Sequence, residues 1–437
     1  MATKTVQDAS LTAVADAIRA KTGKSASMEF PDEFVSEIGS ISGGGGGSVS
    51  ANAVNFRDYD GTIVASYSVS DFLALSAMPD NPSHDGLIAQ GWNWSLSDAK
   101  AYVTKYGKLE VGQMYITDDG KTRVYIHLEE DRKSPMLGLG VDGTVDVDWG
   151  DGSAHDTLTG TSVSTVKWTP THNYAQGGDY VIKMTVTGSA QIIGSSTYNE
   201  DSCLLRYSSG ADIRNFVYRN TIERVVIGAN VNIGAYAFDY CYSLASVTIP
   251  DGVTSIENYA FRSCCSLTSV TIPDSVTSIG SYAFGGCYGL ASITIPDSVT
   301  SIESGAFSSC CVLASITIPD SVISIENYAF GGCSSLTSIT MPDSVTNIGS
   351  SAVQYCYGLA SITIPDNVTS IGSYAFYYCS GLGAVRCLST TPPTLGNGSF
   401  TDIPSDCIIY VPQGSLEAYQ TATNWSSYAS RMQEETT

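Results

Sequence analysis

Apolar and polar positions repeat every 23 residues between residues 223 and 385. In one unit Ile293 and Ile295 alternate with Ser292 and Thr294, which gives a short strand one apolar face and one polar face. A proline keeps the same spacing, at Pro250, Pro273, Pro296, Pro319, Pro342 and Pro365. A fixed period of this length predicts a solenoid, because one unit cannot bury its apolar face alone and must stack on its neighbours.

The remainder of each unit turns the chain and returns it to the core. Proline and the aspartate that follows it predict a turn after each strand. Val299, Ile302 and Phe307 then carry the apolar face of the returning segment. Cysteines keep the same period, and these ladder cysteines are Cys241, Cys264, Cys287, Cys310, Cys333, Cys356 and Cys379.

The ends and one inner unit of the repeat depart from the consensus. The stretch from Val225 to Phe238 lacks the proline and is predicted to be the first coil. Ser351 and Val353 replace the usual tyrosine and phenylalanine, which is expected to loosen one rung without breaking the register. The run from Cys407 to Val411, with the helical pattern after it, predicts a strand and helix that cap the open end of the solenoid.

The repeated Ile-Pro-Asp-Ser-Val-Thr-Ser-Ile of 295–302, the Tyr282-Ala283-Phe284 triplet and the cysteine that follows it resemble the BspA-like leucine-rich repeat family. This resemblance implies a leucine-rich repeat solenoid over 191–386 with a C-terminal cap over 387–437. It also implies a surface-recognition role.

The N-terminal region differs in character from the repeat. Leu11, Val14, Ala15 and Ile18 share one helical face, and 31–38 predicts a second short helix. These segments resemble the starts of phage tail structural proteins. The resemblance implies that residues 1–42 attach the chain to other virion tail proteins, with a homo-oligomer expected on the same ground. Glycines in 43–50 predict a flexible linker.

Two β modules are expected between the linker and the solenoid. Residues 51–108, with Val54 to Val64 and the Trp92 and Trp94 pair, resemble the β-grasp-like repeats of internalin-type surface proteins. Either tryptophan can be read as a sugar-stacking residue or as a core residue. Residues 109–190, with Val145 to Ser153 and Gly178 to Val186, resemble a PKD-type Ig-like sandwich. The fold class expected is therefore mainly β.

Charge excludes several functional classes. The chain carries 21 lysines and arginines against 43 aspartates and glutamates, a net charge of −22. Such a balance opposes binding to nucleic acid. No apolar run approaches the length of a membrane span, and no export signal is visible at the start, so we expect no membrane insertion. A virion tail location is expected, with the extracellular space or a bacterial surface as the alternative.

Candidate catalytic and metal-binding groups are few. The histidines His84, His127, His155 and His172 all precede the solenoid, and none lies in a catalytic motif, so we expect a non-enzyme without a cofactor. Asp148, Asp151 and Asp156 can be read as a calcium cluster or as the acids of a turn, and the turn is favoured because their spacing is not that of an EF-hand.

Two sets of residues that recur once in each repeat unit, cysteines and aspartates, are further candidates for metal binding. The ladder cysteines are read as buried apolar fillers, because in-register side chains point in parallel and neither a disulfide nor a metal site suits that arrangement. One aspartate follows each repeat proline, at Asp251, Asp274, Asp297, Asp320, Asp343 and Asp366. This stripe can gather Ca²⁺, or each carboxylate can bond its own turn, which is favoured.

Variation within the repeat is concentrated beside the ladder cysteines. The strands repeat almost unchanged, whereas the cysteine flanks carry tyrosine, serine and glycine, the residue types of adaptable recognition surfaces. The predicted ligand-binding residues are Tyr240, Tyr242, Arg262, Tyr288, Gln354, Tyr355, Tyr357, Tyr377 and Tyr378. Two alternatives stay open: these loops vary without a function, or the concave sheet is the binding face instead.

The function expected is non-enzymatic recognition. A phage tail fibre or receptor-binding protein, whose solenoid binds a bacterial surface glycan or protein, fits the resemblances above. A secreted or cell-surface BspA-like adhesin is the alternative, and an enzyme acting on the cell wall comes third.

Overall fold

The structure, a computed structural model, describes residues 53–57, 63–75, 77–79, 87–92, 100, 103–104, 109–117, 120–194, 204–207 and 221–435. The predicted attachment segment 1–42 and linker 43–50 lie outside these residues. The chain divides into two compact units, Met1–Gly120 and Lys121–Thr437. The described chain is mainly β, with 7% helix.

The first unit contains a small mixed sheet and one short helix. Its elements are β1 (Ala53–Arg57), β2 (Ile63–Ser68), α1 (Val69–Ala74), β3 (Leu87–Trp92) and β4 (Leu109–Thr117). The strand order is β2-β1-β4-β3, with β1 antiparallel to β2 and parallel to β4. Val54, Phe56, Phe72 and Val103 form its buried core. The β-grasp likeness stays a prediction.

Strand β4 corrects one predicted boundary. The sequence places a module boundary between residues 108 and 109, but β4 pairs with β1 from Val54 to Arg57. Residues 109–117 therefore belong to the first unit, which ends at Gly120. Trp92 is the last residue of β3, and Trp94 lies outside the described residues.

The second unit opens with long antiparallel strands. These are β5 (Thr122–Leu128), β6 (Pro135–Asp148), β7 (Asp156–Trp168), β8 (Gly178–Ile192) and β9 (Leu205–Tyr207). Strand β6 pairs with β7 and with β8, and β5 pairs with β8. In the part of the chain that is described, these strands join one sheet, whereas a sandwich has two. The PKD-type likeness stays a prediction.

This sheet continues into the solenoid through backbone hydrogen bonds. Strand β10 (Ile222–Val226) pairs antiparallel with β5, and β11 (Val231–Ile233) pairs parallel with the end of β8. The two strands also pair with the coil that follows. Residues 225–238 are thus the first coil, as predicted, and the preceding sheet covers the edge that this coil would otherwise expose.

The solenoid has about 9 turns, and each turn contributes two short parallel strands. The longer strands are β12 (Ser246–Thr248), β14 (Ser269–Thr271), β16 (Ser292–Thr294), β18 (Ser315–Thr317), β20 (Ser338–Thr340), β22 (Ser361–Ile364) and β24 (Ala384–Cys387). The shorter ones are β13 (Ser255–Ile256), β15 (Ser278–Ile279), β17 (Ser301–Ile302), β19 (Ser324–Ile325), β21 (Asn347–Ile348), β23 (Ser370–Ile371) and β25 (Thr394–Leu395).

Each rung contacts its neighbours through identical positions. Val270 pairs with Ile293 and Ile316 pairs with Ile339, so the strand residues stay in register. The proline turn is closed by the Val253 N–H, which donates to the Pro250 carbonyl, and the same bond recurs in later rungs. The serine after the aspartate ties neighbouring rungs together, because the Ser275 hydroxyl donates to the Val253 carbonyl. The role of the aspartate carboxylates in these turns stays a prediction.

The core of the solenoid is a row of stacked phenylalanine rings. Phe261, Phe284, Phe307 and Phe330 lie in parallel, with centroids 5.3 to 5.7 Å apart. Val353 interrupts the row, and Phe376 and Phe400 resume it at 5.2 Å. The rung that contains Ser351 and Val353 keeps its strand register, as predicted.

The C-terminal cap covers the last rung. Strands β26 (Ile408–Val411) and β27 (Met432–Glu434) extend the sheet of β22 and β24. Helix α2 (Leu416–Thr421) and a 3₁₀ helix (Trp425–Arg431) lie between them. The Trp425 indole donates to the Pro393 carbonyl at 2.8 Å, and the Tyr419 ring packs edge-on against the Trp425 ring. The predicted strand–helix cap is confirmed. The helices of the described part of the chain are all too short to form a membrane span.

Candidate functional site

The cysteine edge of each rung is built on two left-handed backbone positions. These are the first and the fifth residue before each ladder cysteine, which we call the −1 and −5 columns. The −1 column is Tyr240, Ser263, Gly286, Ser309, Gly332, Tyr355 and Tyr378, and the −5 column is Tyr236, Tyr259, Tyr282, Gly305, Tyr328, Ser351 and Tyr374. All have φ between 54° and 81°. This geometry suits glycine and strains a side chain with a Cβ.

At the N-terminal end of the edge, tyrosine rings surround an arginine. The Arg262 guanidinium lies 4.6 Å from the ring centroids of both Tyr240 and Tyr259. It also donates two hydrogen bonds of 2.7 Å to the Asp239 carboxylate, which is only 2% exposed. We call Asp239, Tyr240, Tyr242, Tyr259 and Arg262 the N-terminal cluster. Arg262 therefore neutralises a buried carboxylate, in addition to any predicted role in binding.

The −5 column adds a stacked tyrosine row that the sequence analysis missed. Tyr236 and Tyr259 stack with centroids 4.8 Å apart, and Tyr259 and Tyr282 stack at 5.4 Å. Gly305 ends the row. The signal was present in the sequence, because these tyrosines belong to the repeated Tyr-Ala-Phe and recur every 23 residues. The sequence analysis used these tyrosines only as a mark of the repeat and did not place them on its surface.

At the C-terminal end, tyrosines form an exposed patch that we call the C-terminal cluster: Tyr355, Tyr357, Tyr374, Tyr377 and Tyr378. Ring centroids within it lie 5.4 to 6.2 Å apart. Four of the rings belong to side chains that are 38 to 45% exposed. Tyr377 is half-buried, and its hydroxyl interacts electrostatically with the Asp402 carboxylate. Sequence reasoning missed Tyr374 and Asp402.

The rungs between the two clusters present small residues. Gly286, Ser309 and Gly332 occupy the −1 column there, and the residues just before them are Gly285, Ser308 and Gly331. Tyr288 is 52% exposed in this stretch, and Gln354 lies next to Tyr355 with intermediate exposure. The predicted residues thus separate into two aromatic groups, with Tyr288 between them.

The ladder cysteines lie inside the rungs, beneath this surface. All of them are fully buried, so their prediction as fillers is confirmed. From Cys264 onward, each ladder thiol donates to a backbone carbonyl of the rung before it, for example Cys287 to Phe261 at 3.1 Å. Burial raises the pKa of Cys287 and Cys333 to about 12. These thiols are neutral and weakly reactive at neutral pH.

Groups outside the repeat that were candidates for chemistry have structural partners. The carboxylates of Asp148 and Asp151 accept from backbone N–H groups of the turn after Trp149, and Asp156 accepts from the Trp149 indole. The prediction that these acids build a turn is confirmed. The His172 ring stacks on Trp149 at 4.5 Å and bonds Asp151. Within the described residues, no cluster of His, Cys, Asp or Glu is arranged to hold a metal ion.

His127 and His155 pair with acids in the same way. The hydrogen bond to Asp179 raises the pKa of His127, and His155 bonds Asp146 at 2.9 Å. Such exposed pairs contribute little to stability. His84 lies outside the described residues. The three described histidines thus bond to aspartate carboxylates.

Comparison with known proteins identifies the repeat. The family described as BspA type leucine rich repeat region matches residues 212–313 and 306–413, in six copies. No curated protein matches the chain, and the comparisons indicate no enzyme family.

Similar solved structures are leucine-rich repeat proteins of bacteria. One from Bacteroides ovatus is 25% identical over 52% of this chain and 67% of its own, with a TM-score of 0.39. That of T. pallidum is 32% identical over 43% of this chain and 86% of its own, with a TM-score of 0.35. A leucine-rich cell surface protein from Faecalibacterium prausnitzii is 27% identical over 51% of this chain and 63% of its own, with a TM-score of 0.31. Residues 212–413 of this chain are a BspA-type leucine-rich repeat region.

Proposed function

We propose that this chain is a non-enzymatic recognition protein whose solenoid edge binds a receptor on the bacterial surface. The observation that carries the proposal is the C-terminal cluster, in which exposed tyrosine rings lie together on one edge of a rigid solenoid. Clustered tyrosines supply a large amphipathic contact area at a low cost in side-chain entropy. A rigid scaffold adds to affinity because the surface needs no ordering upon binding.

The backbone under the cluster supports a role beyond stability. Tyr355 and Tyr378 adopt φ of 58° and 57°, a conformation that costs a residue with a Cβ about 1–2 kcal/mol. At the same column Gly286 and Gly332 occupy other rungs, so the fold accepts glycine there. Tyrosine at these two positions, like Tyr328 in the −5 column, therefore costs stability that glycine would not, and the turn itself does not require the ring.

The test replaces both strained tyrosines of the cluster. The Tyr355→Gly/Tyr378→Gly variant of the full chain is expected to lose binding to bacterial cells at least tenfold, since truncating hot-spot aromatics costs about 2 kcal/mol or more. Its stability is expected to change by less than about 1 kcal/mol, because relief of the left-handed strain offsets the lost ring contacts. Binding of the labelled chain to a panel of gut bacteria, with urea unfolding in parallel, measures both.

Tyr328→Gly is the matched control. Tyr328 has φ of 59° and is 42% exposed, and it lies two rungs from Tyr374 in the −5 column, outside the cluster. This variant is expected to bind like the unmodified chain. Equal losses in both variants, or no loss in either, would move the receptor site away from the C-terminal cluster.

The finer proposal is that the chain belongs to a phage tail, as a tail fibre or receptor-binding protein attached through residues 1–42. Its support is the resemblance of Leu11 to Ile38 to tail structural proteins, together with neutral thiols that need no oxidising compartment. The alternative is a bacterial surface adhesin, which is favoured by the BspA-type repeat itself.

Immunogold labelling with antibody against the chain separates the two. Gold on the tails of purified virions is the expected result. Gold on the envelope of the producing bacteria, with bare virions, would show the adhesin to be correct and leave the recognition proposal standing.

A further inference from the structure

The charge around the C-terminal cluster restricts what it can bind. Residues 238–385 contain one basic residue, Arg262, and the acidic residues Asp239, Asp251, Glu257, Asp274, Asp297, Glu303, Asp320, Glu326, Asp343 and Asp366. Arg262 is already engaged with Asp239. An anionic ligand would be repelled by this surface. At the C-terminal end beyond this stretch, Arg386 pairs with Glu435 and Arg431 donates to the Pro404 carbonyl, so both guanidinium groups are already engaged.

The polar groups of the cluster are acceptors and neutral donors. Desolvation and the Asp402 carboxylate raise the pKa of the Tyr377 hydroxyl, which keeps the phenol protonated at neutral pH. The carboxamide of Gln354 precedes Tyr355 in the chain. Asp402 continues the −1 column in the cap, with φ of 59°. Hydroxyl, amide and carboxylate groups therefore border the aromatic rings.

The cluster lacks the groups that commonly accompany tyrosine in protein interfaces. Such interfaces are enriched in arginine and methionine as well as in aromatic residues. The C-terminal cluster contains tyrosine alone, and the exposed large apolar side chains of the described solenoid outside it, such as Val312 and Ile323, lie on other rungs. Phenol rings bordered by hydrogen-bonding groups match a ligand with apolar C–H faces and many hydroxyls.

We infer that the C-terminal cluster binds an uncharged oligosaccharide of the bacterial surface. This inference rests on the proposed function and adds the chemical class of the ligand. A sugar ring places its C–H face on a tyrosine ring, while its hydroxyls donate to Asp402 and exchange hydrogen bonds with the tyrosine hydroxyls. Several rings on adjacent rungs, about 4.8 Å apart, allow successive sugar units to be contacted along the edge.

The test uses the labelled full chain and intact cells of a strain that binds it. One portion of cells is digested with protease, a second is oxidised with periodate to cleave vicinal diols and then quenched, and a third is left untreated. Binding is expected to survive the protease and to fall at least tenfold after periodate. Binding is expected to change less than about twofold between roughly 150 mM and 500 mM NaCl. In this range the Debye length is about 8 Å or less, so the net charge of the chain is screened from the cell, and an uncharged ligand leaves no close ion pair to weaken.

Each other outcome contradicts either the inferred oligosaccharide ligand or the proposed recognition function. Loss of binding after protease would show a protein receptor and overturn the inference while leaving the proposed function intact. Binding that falls with salt would indicate a cationic ligand, and binding that rises with salt an anionic one, and either would also overturn it. Absence of binding to every strain of the panel would overturn the proposed function itself. Tyr328→Gly serves as the control variant, and Tyr355→Gly/Tyr378→Gly is expected to abolish the periodate-sensitive signal.

Discussion

Above about pH 9 the solenoid is expected to lose stability steeply. Burial raises the pKa of Cys287, Cys333 and Cys379 to about 12 in the folded chain, and that of Cys310 and Cys356 also well above the ordinary value of 9.0. The folded protein therefore keeps protons that the unfolded chain releases. The stabilisation is complete below the ordinary thiol pKa and is lost as the pH rises toward the folded value.

The expected size of this effect is large because the thiols act together. Each thiol removes about 1.4 kcal/mol of unfolding free energy per pH unit in this range. Five such groups together remove up to about 7 kcal/mol per pH unit, so a rise of two pH units removes an amount comparable to the roughly 5–15 kcal/mol stability of a typical domain. Urea unfolding followed by circular dichroism from pH 8 to pH 11, with reductant present, measures the slope.

A triple variant, Cys287→Ala/Cys310→Ala/Cys333→Ala, is the control for this prediction. This variant is less stable at pH 7, but its free energy of unfolding should fall less steeply with pH. The slope of the variant is expected to be smaller than that of the unmodified chain by about 4 kcal/mol per pH unit. Tyrosine ionisation is common to both proteins and cancels in the comparison. Parallel slopes for the two proteins would show that the buried thiols do not govern alkaline unfolding.

Replacement of Phe307 by alanine is expected to destabilise the solenoid by about 3–5 kcal/mol. Phe307 is fully buried and lies between two parallel rings, Phe284 and Phe330, each with its centroid 5.7 Å away. Removing it leaves a cavity that the neighbouring rungs cannot close, because their backbone is fixed by hydrogen bonds on both sides. The change in unfolding free energy, from urea titration at pH 7, gives the value.

Phe376→Ala is the matched variant. Phe376 is equally buried but stacks on one ring, Phe400, because Val353 occupies the neighbouring rung. It is expected to cost less than Phe307→Ala by about 0.5–1.5 kcal/mol, the contribution of one aromatic pair beyond burial. Equal costs would mean that the ring row is stabilised by burial alone.

The repeat could be predicted from the sequence because its physical cause is local and recurs. Pro250, Cys264 and their counterparts sit at fixed offsets, so the strands and the buried thiols follow from one unit. The cap strand Ile408–Val411 lies beyond the repeat and was predicted from its own apolar run. The pairing of Asp239 with Arg262 was also accessible, since the two residues occupy the same position of adjacent rungs. It was missed because Arg262 was read as a surface residue.

Other features leave little or no trace in the sequence. Strand β5 pairs with β10 through residues such as Ile126 and Ile222, and nothing in either segment names its partner. The left-handed backbone of Tyr355 and Tyr378 was equally hidden, because tyrosine ordinarily disfavours that conformation and only the glycines at the same column hint at it. Whether the residues predicted to bind ligand do so stays a prediction.

The interchangeable rungs also have an evolutionary consequence. Since each rung offers the same contacts above and below, recombination between its near-identical coding repeats can delete or duplicate one 23-residue unit without creating a new interface. Each such event shifts the C-terminal cluster relative to the N-terminal cluster by about 4.8 Å. The separation of the two aromatic surfaces is thus inherited in discrete steps, and a lineage can alter its reach without altering either surface.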